Sequence, residues 1–579
     1  MNAGFCHTIR RRRAVDASFR ANIGASKNDS ETMQVTIPGP SAAMQLLADY
    51  ERESATGGET EARARLIARL ADAPERDWLE CAQQLVLRGR VDVTTALLAA
   101  ARMHHPRSAD IAFALAGLAQ RARRNAEAEA LLREVLESKP DHAAAALMLA
   151  RLLGDASRTR AAASVLQAAF AEHRQPIDLA IRAMELADQL ERKSTAAAIA
   201  EAAIAAGCID PRIYAYAATY ALQLGDFAHA RERYLYAYAH SAQAPEWNVP
   251  FGLSSAQRYR DADHPDFALF RECLARTDLS EKARLTLLFA LGKAHDDIGA
   301  YAEAARYFRE ANAIAFALWP RSRKQWRRSV AARIQAKPLP VRRDPTGDFT
   351  PIFIVGLPRS GTTLTAELLS RRPLVRNRGE LNGIWKLAQR LPANGAPDRA
   401  MLDAMAAEYE AALRLDDSGD ARWFIDKQPL NLVHVDLILA LWPHAKIIHC
   451  ERNARDNALS IWVQSFQEDT YAFAFDFTDI AALQQGCEKL ITHWKKLYPD
   501  SIRSLRYEDL AAAPEERIGE LADWIGLPPS EAPSHAPQRA EAINTASLWQ
   551  ARQPVYTRSI GRWRAYIEHV PELAQFSPD

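Results

Sequence analysis

Between residues 75 and 244 apolar side chains recur with a helical spacing, and the whole helical pattern returns every 34 residues. Segments 75–108, 109–142, 143–176, 177–210 and 211–244 align without gaps. Their eighth positions are Ala82, Ala116, Ala150, Met184 and Ala218. Their twentieth are Thr94, Ala128, Ala162, Ala196 and Ala230, and their twenty-fourth are Leu98, Leu132, Leu166, Ala200 and Tyr234. Small side chains at fixed places let two helices approach closely, while larger apolar ones fill between successive pairs. The pattern therefore predicts helical hairpins stacked into an all-α solenoid. Residues 285–318 return to the register with Gly292, Gly299, Ala304, Phe308 and Ala311, and residues 41–74 read as a degraded first unit. An alanine-rich bundle without repeats is the competing reading, and five consecutive units in one register disfavour it.

Past residue 318 the pattern changes. WPRSRKQWRRSVAARIQAKPLPVRRDPTGDFT, residues 319–350, is basic and then rich in proline and glycine, which predicts a basic helix and linker over 319–344 and a second domain over 345–579. In that domain the apolar run PIFIV, 351–355, predicts a buried strand, and TTLTAELLSRR predicts the next helix. Between them lies GLPRSGTT, 356–363. Strand, glycine-rich turn and helix form the setting of a phosphate-binding loop. Gly356 and Gly361 let the backbone wrap an anion. Amides from Arg359 to Thr363, hydroxyls of Ser360, Thr362 and Thr363, and the Arg359 cation supply its contacts. Thr362 stands where a nucleoside triphosphatase carries lysine, which weakens a kinase or ATPase reading.

Composition narrows the picture. A chain of 579 residues exceeds one ordinary hydrophobic core. A net charge of +1 gives no support to a nucleic-acid partner. Cys6, Cys81, Cys208, Cys273, Cys450 and Cys487 lie far apart with no metal-ligand spacing, and nearby acids such as Asp456 complete no ligand set, so no metal is expected. The first residues lack the apolar stretch of a secretory signal, and no continuous apolar run approaches a membrane span. A cytoplasmic location and a flexible segment over 1–40 are the expectations.

The 34-residue units resemble the tetratricopeptide repeat family, which over 41–318 implies either a concave surface for a peptide or protein partner or a purely supporting role. PRSGTT, GELN, KQP, the Arg452–Ser460 pair and YEDL together resemble sulfotransferases that use 3′-phosphoadenosine 5′-phosphosulfate (PAPS). The resemblance spans roughly 350–575 and is nearest to the protein-tyrosine sulfotransferase branch and its repeat-fused bacterial relatives. It implies a C-terminal α/β, P-loop-like domain with a parallel sheet. Arg359, Ser360, Gly361, Thr362 and Thr363 are then expected on the 5′-phosphosulfate, and Arg452 and Ser460 on the 3′-phosphate. Tyr507 is expected on the nucleotide, Ser547 and Gln550 in a covering loop, and Arg562 in the place of a phosphate-contacting lysine. Gln464 departs from that branch, where an arginine is common. Arg552 and Arg558 read as added anion contacts or as a solvated basic loop, and Trp563 as packing. Glu380 is the implied base, and Lys427 the implied neutraliser of charge on the leaving phosphate as the product PAP departs. Peptidyl-tyrosine is the favoured acceptor, and carbohydrate, lipid and small-molecule hydroxyls stay open. So do a P-loop phosphotransferase and a catalytically inactive repeat-based interaction protein.

Overall fold

The computed structural model describes residues 41–320, 322–342, 349–392, 396–416, 419–466, 469–528 and 557–578. These form two compact units. The first holds the chain up to Ala156 with Ala161–Leu186, and the second holds Ser157–Arg160 with everything from Ala187 onward. The division falls inside the repeats.

Three hairpins lie wholly within the first unit. Ala42–Gly57 pairs with Glu59–Leu70, Glu75–Leu87 with Val91–His104, and Ala109–Arg121 with Asn125–Ser138. The register residues are the ones that disappear from solvent: Ala116, Ala128 and Leu132 are fully buried. Helix starts are capped by local chemistry. Ser108 Oγ accepts from the Ile111 amide at 3.0 Å and donates to Glu75 of the preceding pair at 2.5 Å, a link worth about 1 kcal/mol as a cap.

The second unit carries the sheet. β1 (Thr350–Gly356), β2 (Val375–Asn377), β3 (Trp423–Asp426), β4 (Lys446–Glu451) and β5 (Ile502–Arg506) are all parallel, in the order β2-β3-β1-β4-β5. A parallel sheet is covered on both faces, which is why PIFIV is apolar without alternation. Its side chains still alternate in direction. Ile352 and Ile354 pack with Leu369, Leu521 and Ile525 on one face, whereas Phe353 and Val355 join the large core on the other. Each such side chain removed from water contributes roughly 2 kcal/mol.

That large core also takes in the helix pair Glu281–Asp297 and Tyr301–Leu318 and, through Val330, the basic helix Arg323–Gln335. Phe308 meets the Trp462 ring edge-on at 5.9 Å, and Asn312 Nδ2 donates to the Trp462 carbonyl at 2.9 Å. Trp326 Nε1 donates to the Ala482 carbonyl at 2.9 Å, over Gly486, where a Cβ would stand 2.5 Å from the indole. Such shared packing is the physical reason that the later repeats and the sheet domain form one unit. Among the described residues no helix is long and apolar enough to cross a membrane.

Candidate active site

Because all five strands run one way, their carboxyl ends make a single edge, and each strand delivers a candidate residue there. β1 runs into the loop 357–361, β2 leads to Glu380, β3 to Lys427, β4 to Arg452 and β5 to Tyr507. Ligands of open α/β sheets bind at this edge, beside the strand where the order reverses. Here that strand is β1, between β3 and β4.

Two glycines make the loop possible. At Gly356, with φ 148°, a Cβ would lie 2.5 Å from the Cys450 carbonyl, and at Gly361, with φ 95°, one would lie 2.8 Å from Tyr507 Cδ2. Arg359 adopts φ 69° without being glycine, a conformation that costs of order 1 kcal/mol. The helix Thr362–Ser370 starts directly after Gly361, so its first amides have no intrahelical acceptor and open onto the loop. Ser360 is buried and its hydroxyl donates to the Leu357 carbonyl at 2.7 Å, which tightens the turn.

Arg359 links the residues at the ends of β1 and β4. Its Nε donates to Ser460 Oγ at 3.2 Å, and its carbonyl accepts from Arg452 at 3.0 Å. Arg452 also donates to the Ser559 carbonyl at 2.9 Å, while its Nε–H is buried with no partner. Burial lowers its pKa from the ordinary arginine value, against the opposing pull of Tyr507 and nearby acids. Tyr507 lies under the Arg452 guanidinium, 4.8 Å from ring centre to Cζ, and its hydroxyl meets Ser559 Oγ at 2.6 Å. The donor set (two guanidinia, the buried Arg452 Nε–H without a partner, and a helix start aimed at the loop) fits a phosphate-bearing ligand.

Glu380 and Lys427 meet as an ion pair, with Lys427 Nζ donating to Glu380 Oε1. The Lys427 side chain is only 2% exposed. Tyr471 donates to the other carboxylate oxygen at 3.3 Å, so Glu380 is gripped on both sides. The Lys427 amide donates to the Gly379 carbonyl at 2.8 Å, fixing the ends of β2 and β3 against each other. Beneath them Asp426 accepts from Tyr409, from Asn431 at 2.8 Å and from the Leu381 amide at 3.4 Å. Burial outweighs those hydrogen bonds and pushes its carboxyl up to about 7.

The structure thus brings together Arg359, Arg452, Ser460 and Tyr507, and separately Glu380 with Lys427. Arg562 pairs with Asp296 at 2.5 Å, and its charge also acts on Arg452. Trp563 lies between the Arg455 and Arg564 guanidinia, in a packing position. Ser547, Gln550 and Arg552 lie outside the described residues. Sequence reasoning missed Tyr471, Asp426 and Ser559, and it took Asp456 only as a rejected metal ligand. Asp456 accepts from the Gly561 and Trp563 amides at 2.6 and 2.9 Å and pins the C-terminal segment. Asp426 alone had a signal, an acid ending the apolar strand WFID. Among the described residues no group of three or more His, Cys, Asp or Glu side chains could hold a metal ion.

A parallel sheet with a glycine-turned loop after its first strand, and a carboxylate–lysine pair at the same edge, defines an α/β domain with a candidate anion site. Residues 351–531 match the model of the sulfotransferase family, and residues 85–152 match a tetratricopeptide repeat model. The chain therefore joins a tetratricopeptide repeat region to a C-terminal sulfotransferase domain. An uncharacterized protein of Aquifex aeolicus is 33% identical over 263 residues, covering 42% of this chain and 34% of that protein. The protein-tyrosine sulfotransferase of Drosophila melanogaster is 24% identical over 253 residues, covering 39% of this chain and 50% of that one. The chain thus spans a third to a half of these relatives' lengths. The sulfotransferase domain of the Synechococcus PCC 7002 olefin synthase superposes with a TM-score of 0.30 at 18% identity, covering 41% of this chain and 98% of that domain.

Proposed function

We propose that the sheet domain transfers a sulfonyl group from PAPS to an acceptor hydroxyl, with the hydroxyl of a protein tyrosine as the acceptor. What carries the reading is the arrangement of two groups along one sheet edge: Arg359, Arg452 and Ser460 on the donor side, and the Glu380–Lys427 pair beside them. When bound, PAPS supplies the sulfonyl group and leaves as PAP with the electrons of the broken S–O bond. Arg359, the loop amides and the Thr362 and Thr363 hydroxyls hold the donor's sulfonyl end, and Arg452 and Ser460 hold its 3′-phosphate. No lysine is needed at Thr362, because the transferred group is not a terminal phosphate bridged to magnesium.

Glu380 takes the proton of the attacking hydroxyl. Lys427 has three N–H bonds and one is directed at Glu380, which leaves donors for the oxygen that gathers charge as the product leaves. The tyrosine acceptor is supported by the Drosophila melanogaster relative and by the repeats, which offer a surface for a polypeptide.

The test is incubation of the full chain with sulfur-labelled PAPS and parallel acceptors: a tyrosine peptide, a simple phenol, a saccharide and a lipid alcohol. The reading expects label on the tyrosine and none with Glu380→Gln. Label on another acceptor corrects the acceptor alone. No label on any acceptor, from folded protein, refutes the transfer.

A further inference from the structure

The C-terminal segment 557–578 lies between the donor side of the site and the last repeat helices. On the site side, Ser559 gives its carbonyl to Arg452 at 2.9 Å and its hydroxyl to Tyr507 at 2.6 Å. Two residues on, Gly561 turns the chain with φ 73°, and the Gly561 and Trp563 amides bind Asp456. On the repeat side, one carboxylate holds the other end of the same turn. Asp296 Oδ2 lies 2.5 Å from Arg562, and its Oδ1 accepts from the Tyr566 hydroxyl at 2.5 Å. Tyr566 is fully buried, and its ring packs 5.0 Å from that of Tyr301. Arg309 of the same helix pair adds a contact to Glu572 at 2.6 Å.

We propose that Asp296, a residue of the repeats, is a positioning residue for the donor site, acting through Arg562, Tyr566 and the turn that presents Ser559. The physical reason is that the buried Tyr566 hydroxyl and the partly exposed Arg562 guanidinium share this one acceptor, so losing Asp296 leaves the Tyr566 hydroxyl unsatisfied and releases Arg562 to water. The turn then relaxes, and Ser559 no longer fixes Arg452 and Tyr507. On this account the final helix pair completes the site rather than merely adjoining it, and a catalytic fragment without it binds the donor poorly.

The inference rests on the PAP-binding reading above, and it opposes a direct role for Arg562. Were Arg562 a phosphate ligand restrained by Asp296, freeing it would tighten binding. If Asp296 positions the turn, freeing it weakens binding. The signs are opposite. The experiment is calorimetric titration of the full chain with PAP, comparing wild type, Asp296→Ala, Asp296→Asn, Tyr566→Phe and Arg306→Ala, the last altering a surface pair of the same helices. It is paired with hydrogen exchange of each ligand-free variant.

The expected results are about 10-fold weaker PAP binding for Asp296→Ala and about 3-fold for Tyr566→Phe. Arg306→Ala leaves affinity unchanged, and single-turnover transfer at saturating donor is nearly unchanged throughout. Exchange should quicken over 557–566. If Asp296→Ala does not fold, Asp296→Asn and Tyr566→Phe carry the same expectation. Wild-type or tighter affinity in these variants overturns the proposal while leaving the function standing. If wild type itself fails to bind PAP, the function falls, and the exchange data alone decide the coupling: quickened exchange at Ser559 and the 357–361 loop upholds it, and unchanged exchange overturns it.

Discussion

Two helix pairs share one 34-residue register in different surroundings. In the segment 109–142 the eighth and twenty-fourth positions are Ala116 and Leu132; in 285–318 they are Gly292 and Phe308. The substitutions are coupled, because a Cβ on Gly292 would stand 2.6 Å from the Phe308 ring. The larger ring reaches Trp462 of the sheet domain. Two further positions diverge in the same way: Gln120 becomes Asp296, and Leu136 becomes Asn312. Asp296 holds the C-terminal segment, and Asn312 donates to the Trp462 carbonyl. The period encodes stacking, and the departures from it encode docking.

The comparison breaks first if the docked pair governs chemistry as well as donor binding. On the proposed mechanism Lys427 acts in transfer, so Lys427→Ala should slow single-turnover transfer by about 100-fold or more, with a much smaller change in PAP affinity. Loss of both together would merge the two sides. Next in size, Arg452→Ala should weaken PAP by about 10-fold or more, since a charge-assisted phosphate contact is lost. An unchanged dissociation constant would remove Arg452 from the donor side.

A smaller effect sharpens the contrast between the pairs themselves. Gly292→Ala should destabilise the chain by about 1–3 kcal/mol through overpacking against Phe308, read from the denaturant midpoint of the second unit. Ala116→Gly in the stacked pair should cost about 1 kcal/mol through lost helix propensity and a small cavity. Equal and negligible shifts would mean that the aromatic–glycine exchange is packing noise.

Stability should also depend on pH through Asp426. Its carboxyl is raised to about 7 in the folded chain, against about 4 unfolded. Between those values the native state binds more protons, so the stability linked to this group is full below about 4 and is lost as pH rises through about 7. Asp426→Asn should flatten that decline in denaturation midpoints measured across the range, and an unaltered slope would exclude Asp426 as its source. Smallest of all, Arg124→Ala, which breaks an exposed pair with Glu127 in the stacked helices, should shift stability by less than about 0.5 kcal/mol.

Much of this was legible in the sequence, for physical reasons. Burial of Ala116, Ala128 and Leu132 follows from a period that repeats, and PIFIV announces a two-sided sheet because both faces must be apolar. Arg359, Glu380, Lys427, Arg452 and Tyr507 were named from motifs that resemble a known family, and each lies just past a strand end because those motifs fall at strand–turn junctions. Asp296, Tyr471 and Ser559 lie far from their partners in sequence. Asp296 stands 266 positions before Arg562 by their numbers, and nothing local distinguishes it from Asp297 beside it. Tyr471 sits in YAFAF, which reads as core aromatic, and Ser559 earns its place only through a turn held from both sides. The packing of Phe308, Asn312 and Trp326 against the sheet domain had no local signal, because each contact joins residues about 150 positions apart by their numbers.

The central claim is that the edge formed by the five strand ends is a donor site for a 3′-phosphorylated adenosine nucleotide. Calorimetric titration of the full chain with PAP, beside ADP and ATP and with or without magnesium, tests it most directly. The account predicts saturable, magnesium-independent binding of PAP that is clearly tighter than that of ADP. Preferential magnesium-dependent binding of ATP, or no heat with PAP from folded protein, would contradict it.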